Sequence, residues 1–143
     1  MKFNRKARRK AREFAVQALY QWALTGLAAT DILLQFVMFD ETQRADEAYL
    51  RKLFLGAVER SQELDALLTP FLDRGIHEVS PVELSILRLA SFELLACPEL
   101  PYRVILNESI ELSKCYGGTD SQKFTNGVLD KLAHQLRAAE VNR

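Results

Sequence analysis

A chain of 143 residues with 48% hydrophobic and 27% charged residues has the size and composition of one ordinary soluble domain, able to bury a core without disulfides or metal. No segment reaches the eighteen or so uninterrupted apolar residues of a membrane span, and the basic N-terminus runs into an amphipathic pattern rather than an apolar signal core, so a cytoplasmic location is expected. The formal net charge of zero conceals a polarity: Lys2, Arg5, Lys6, Arg8, Arg9, Lys10 and Arg12 precede the first acid, Glu13, and the remaining 12 of the 19 basic residues face all 19 acids.

Apolar residues recur at helical spacing nearly everywhere and strand-like alternation is absent, which predicts an all-α protein of six or seven helices. The first, from about Asn4 to Leu24, gathers Ala11, Phe14, Ala15, Ala18, Leu19 and Trp22 on one sector, the core face. Asp31 is placed to cap a second helix through Phe39, and the polar stretch Asp40 to Asp46 separates it from a third carrying Tyr49, Leu50, Leu53, Phe54 and Ala57. A fourth holds Leu64, Leu67, Leu68, Phe71 and Leu72, with Pro70 ending or kinking it.

The clearest start signal is Ser80-Pro81-Val82-Glu83: serine at the N-cap, proline at the first helical position, and glutamate placed to complete a capping box. That helix runs toward Ala96. Beyond Cys97-Pro98 and Leu100-Pro101, Val104, Ile105, Ile110 and Leu112 populate another, ended by Gly117-Gly118. Thr119 to Gln122 can cap a last helix with Phe124, Val128, Leu129, Leu132 and Leu136 inward, and residues 138–143 are expected to fray.

Chemistry-bearing patterns are few. Cys97 and Cys115 are far from any CxxC spacing and the chain has two histidines, so buried thiols are expected rather than a metal site or a disulfide. No phosphate-binding glycine loop, HExxH or nucleophile elbow occurs, which points to a non-catalytic protein without cofactor.

On the first helix, Lys6, Arg9 and Lys10 lie opposite the core sector and Arg8 and Arg12 along its edge, a broad cationic surface. Such a surface neutralises phosphates and suits a polyanion, although a solubilising helix end is the plainer reading. Tyr20 lies eleven residues beyond Arg9, about three turns along the same polar side. A ring beside a basic strip can stack on an unpaired base, or pack at a helix rim.

Two stretches resemble the NusB family: Arg8-Arg9-Lys10-Ala11-Arg12-Glu13 continued by Ala15-Val16-Gln17-Ala18-Leu19-Tyr20, and a block from Ser80 to Leu132. The second includes Ile86-Leu87-Arg88, Glu93-Leu94-Leu95, Pro101-Tyr102, Asn107-Glu108 and Lys123-Phe124 leading to Asn126-Gly127-Val128-Leu129-Asp130-Lys131. The resemblance implies about seven helices in two packed three-helix sub-bundles (about 1–75 and 76–140) and a transcription antitermination factor. It further implies that the protein binds single-stranded boxA RNA of ribosomal RNA operon leaders with NusE, a small-subunit ribosomal protein, and joins RNA polymerase with other Nus factors. Carried over by position, the arginine-rich motif falls on Arg8, Arg9, Lys10 and Arg12 within the basic run, the helix tyrosine on Tyr20, and a second RNA-facing element on Asp120, Ser121, Lys123 and Phe124.

Asp120 has a competing capping role and Phe124 a competing place in the core stripe. The NusE surface falls on Glu83, Arg88 and Tyr102, where Glu83 also serves the capping box. Lys10, Gln122, Thr125 and Gly118 depart from the family pattern and leave base preference open. Self-association through the RNA face is a further implication. Two other readings stand beside this one: a helical interaction protein, and a relative of the NusB-like domain of ribosomal RNA methyltransferases, for whose catalytic domain no chain length remains.

Overall fold

The computed structural model describes residues 4–116 and 118–142, and among these it contains helices and connections but no strand. Eight helices follow in order: α1 (Arg5–Thr25), α2 (Ala29–Met38), α3 (Glu47–Glu59), α4 (Ser61–Leu68), α5 (Pro81–Ala96), α6 (Tyr102–Tyr116), α7 (Thr119–Leu136) and the single turn α8 (Ala138–Val141). Short 3₁₀ turns at Thr69–Phe71 and Ile76–Glu78 join α4 to α5. No helix among the described residues is long and apolar enough to cross a membrane.

Local chemistry sets most boundaries. Asn4 accepts the Ala7 amide at 3.0 Å to start α1, and Gly26 ends it in the left-handed region at φ 68°, its N–H donating to the Trp22 carbonyl. Asp46 caps α3 through the Tyr49 amide. At α5 the Ser80 hydroxyl accepts from the Glu83 amide and donates to the Glu83 carboxylate, so the box closes on the hydroxyl instead of the Ser80 backbone N–H. Pro70 sits where α4 gives way to a 3₁₀ turn, as expected.

Three expectations are corrected. The short link after Gly26 lets α2 begin at Ala29, so Asp31 lies in its first turn and caps nothing. Gly118 is the N-cap of α7 and carries no side chain to cap with, leaving Thr119 and Asp120 already inside the helix. The C-terminal segment is ordered as α8 because Arg137 reaches back to α5. Its guanidinium donates to the carbonyls of Glu93 and Leu94 in the last turn of α5, to those of Cys97 and Leu100 just beyond it, and to the Glu140 carboxylate.

Two apolar clusters form the interior. One joins α1, α2 and α3 with Ile86, Leu89 and Phe92 of α5. The other joins α6 and α7 with Leu87, Ala90 and Leu94 of α5, Leu68 of α4 and Val79. Helix α5 is buried around its circumference, including Ser85, Ser91 and Glu93, as a central helix must be. It carries α1 on one side and α6 and α7 on the other, which sets the basic helix beside the C-terminal pair.

Candidate nucleic-acid interface

The basic run does not present seven equivalent cations. Lys2 lies outside the described residues. Arg5, Lys6 and Arg9 are exposed along α1. Lys10 is half-buried, with its ammonium 3.2 Å from Glu13 and 5.1 Å from the centre of the Phe14 ring. Arg8 lies 4.0 Å above the Tyr49 ring and 3.8 Å from Asp46, so α3 holds its stem.

Arg12 is not a surface cation. It is 5% exposed and ion-paired at 3.0 Å with Glu93 of α5, itself 2% exposed. The sequence placed Arg12 at the edge of the core sector; in the packed protein that edge is covered by α3, α5 and α6. The Tyr49 hydroxyl donates to the same Glu93 carboxylate, and Arg12 Nη1 is 3.5 Å from Glu108 of α6. Burial alone lowers the Arg12 pKa, but Glu93 more than offsets it and holds the guanidinium above its usual range. Burial and then Glu93 push the Tyr49 phenol up, keeping it a neutral donor.

Glu108 also receives Arg9, with Nε at 3.1 Å and Nη2 at 2.8 Å from its two oxygens. Hydrogen bonding to Glu108, then its charge, raises the Arg9 pKa. A polar chain thus runs from Tyr49 through Glu93, Arg12 and Glu108 to the exposed Arg9. An open cavity of about 300 Å³ beside it is lined by Arg5, Arg8, Arg9, Val104, Asn107 and Glu108 among others.

Tyr20 is 38% exposed on the outer side of α1. One turn before it, Gln17 Nε2 donates at 2.8 Å to the hydroxyl of Tyr116, the last residue of α6. That bond ties the middle of α1 to the C-terminal end of α6, three residues before α7 begins at Thr119. There Asp120 and Lys123 are exposed, whereas Ser121 is buried and its hydroxyl makes no hydrogen bond among the described residues. Phe124 packs on the second cluster with the Arg74 guanidinium 4.4 Å over its ring, so it is partly a packing residue.

Glu83 is half-buried and engaged with Ser80. Arg88 pairs with Asp65 through two bonds of 2.8 Å and has 12% of its side chain exposed, so it ties α5 to α4. Tyr102 packs on the second cluster and its backbone N–H donates to Glu140. Of the two thiols, Cys97 is buried and Cys115 is exposed, correcting the expectation for the latter.

Sequence reasoning assigned no role to Gln17, Glu93, Glu108 or Tyr116. Glu93 was findable: an acid inside the run Phe92 to Leu95 on a helix with no polar side needs a buried cation.

The fold and this surface define an all-helical protein whose central helix carries two core clusters and whose first helix exposes a cationic strip ending in a tyrosine. The chain belongs to the NusB family: the model of the NusB family matches residues 9–134. It is 52% identical over 136 residues to the transcription antitermination protein NusB of Alcanivorax borkumensis, covering 95% of this chain and 91% of that one. It is also 52% identical to the protein of the same name from Pseudomonas savastanoi pv. phaseolicola, covering 94% and 81%. Among solved structures, T. maritima NusB superposes with a TM-score of 0.83 at 28% identity over the whole of both chains. A chain from a crystal structure of the antitermination factors NusB and NusE in complex with dsRNA gives 0.78 at 25% identity, covering 92% and 99%.

Proposed function

We propose that this chain is a transcription antitermination factor that binds the single-stranded boxA element of ribosomal RNA operon leader transcripts together with NusE, and joins RNA polymerase with other Nus factors to keep transcription processive. The observation that carries the reading is the Gln17–Tyr116 contact. It ties α1, with its cationic strip and Tyr20, to the end of α6 that leads into α7, which supports one strand passing from α1 toward the start of α7. The names of the relatives and the NusB–NusE–RNA neighbour support it.

In this reading Arg5, Lys6, Arg9 and Lys10, with Lys2 before them, neutralise phosphates, and Arg8 and the buried Arg12 hold α1 in place. Tyr20 stacks on an unpaired base. At α7 no side chain caps the first turn, so its amides and Lys123 can receive a phosphate, with Asp120, Ser121 and Phe124 alongside. Glu83 and Tyr102 face NusE, with Arg88 supporting α5 behind them. The protein acts by binding and needs no cofactor. Where it self-associates, the pairing covers the RNA face and RNA reverses it, as light scattering would show.

The test is a titration of labelled boxA-like RNA and an unrelated RNA, each with and without NusE. Tighter binding of the boxA-like strand, strengthened by NusE, is expected. Tyr20→Ala should cost about 1–3 kcal/mol with the salt slope unchanged, and Tyr20→Phe should retain most of that. Equal, weak binding of both RNAs regardless of NusE would leave a helical interaction protein whose basic end serves solubility.

A further inference from the structure

An acid that touches an exposed arginine of a cationic strip, as Glu108 touches Arg9, invites two opposite readings: it competes with phosphate, or it aims the arginine at phosphate. The geometry separates them. Glu108 engages Arg9 through Nε and Nη2, the side-on edge of the guanidinium. The end-on edge, Nη1 with the second hydrogen of Nη2, is left over, and Nη1 has no partner among the described residues. The Arg9 side chain is 55% exposed, whereas that of Glu108 is only 15% exposed. A planar guanidinium held along one edge points its other edge in a fixed direction.

Glu108 is itself anchored. Arg12 Nη1 stands 3.5 Å away on its inner side, and Arg12 is fixed by Glu93, which also accepts from the Tyr49 hydroxyl. These contacts draw on α1, α3, α5 and α6, so the direction of Arg9 is set by the packing of four helices. An exposed arginine on a helix end otherwise samples many rotamers, all but one of which are lost on binding.

We propose that Glu108 is a positioning residue for RNA: it holds Arg9 by its inner edge so that the outer edge is presented to a backbone phosphate, and the Arg9–Glu108 pair persists in the complex. This rests on the RNA-binding reading given above. It carries an outcome that simple electrostatics reverses, because removing a negative charge from a polyanion site ordinarily strengthens binding.

The experiment is a double-mutant cycle in the full chain, titrating short labelled single-stranded RNA against the parent, Glu108→Gln, Arg9→Ala and the double variant. Glu108→Gln is expected to weaken binding about three- to tenfold in the parent and not at all in the Arg9→Ala background, since only Arg9 needs aiming. Tighter binding by Glu108→Gln would make Glu108 a competitor and overturn the proposal. An equal loss in both backgrounds would also overturn it, as an effect on the fold. A measurement on the unaltered protein guards against a variant that fails to fold: the Arg9 Nε–H resonance should be protected from exchange before RNA is added and remain so after. Its loss on addition of RNA would show the pair breaking. Failure of the parent to bind any RNA removes the functional reading and this inference together, whereas binding with the wrong cycle removes the inference alone.

Discussion

Arg9 and Arg12 lie one helical turn apart, and alanine at each should do different things. Arg12→Ala leaves the Glu93 carboxylate, 2% exposed, without its guanidinium and with the Tyr49 hydroxyl still donating to it. Breaking a buried pair from one side costs about 3–5 kcal/mol, because the remaining charge has lost its solvent and its partner. Chemical denaturation should show that loss for Arg12→Ala, and no more than about 1 kcal/mol for Arg9→Ala, whose own side chain is 55% exposed and whose partner Glu108 keeps Arg12 beside it. A loss under about 1 kcal/mol for Arg12→Ala would mean that Glu93 finds water or another cation. The helical spacing of α1 put Arg9 opposite the core sector and Arg12 along its edge, and the family motif treated them alike. What distinguishes them is that α5 brings Glu93 to one and not the other, a contact spanning 81 residues of sequence.

Helices were legible where their ends carry local chemistry, as at Asn4, Asp46, Ser80 and Pro70, since a cap or a proline acts within three or four residues. The C-terminal turn was not, because Arg137 ties it to α5 across some forty residues. Neither was the packing of α3 on α5. Gly56 reads as an ordinary weak point inside a helix, where alanine would stabilise by about 1 kcal/mol from propensity alone. In the structure a methyl group at that position would run into the ring of Phe92, whose atoms are the nearest to it. Phe92 is 5% exposed and sits in the first core cluster, so the ring cannot swing into solvent without opening the contact. Gly56→Ala should therefore destabilise the protein by about 1–3 kcal/mol despite the better helix former, read as a lower melting temperature with unchanged helical content. A higher melting temperature would show that Phe92 has another rotamer available.

At the scale of the molecule, the proposed function divides the surface of a fold organised around α5 between two partners. The sequence pointed to that division only through family resemblance, since nothing in periodicity or charge marks Glu83 or Tyr102 as a contact. Their positions make it testable. Glu83 lies in the first turn of α5 and Tyr102 at the start of α6, while the strip, Tyr20 and the Gln17–Tyr116 contact follow α1 to the far end of α6. Glu83→Lys reverses a charge and removes the acceptor of the Ser80 hydroxyl, but the Ser80 cap on the Glu83 amide does not depend on the side chain. Tyr102→Ala removes a ring that packs on the second cluster, so its melting temperature must be measured beside its binding. Both variants are expected to weaken NusE association about tenfold or more, as loss of an interface anchor or charge does, while binding of boxA-like RNA in the absence of NusE stays within about twofold. Arg9→Ala should show the reverse pattern, flattening log affinity against log salt by about 0.7 for a single strand while leaving NusE association intact. Equal losses in the two assays for Glu83→Lys, with its melting temperature unchanged, would merge the two surfaces into one and reject the division.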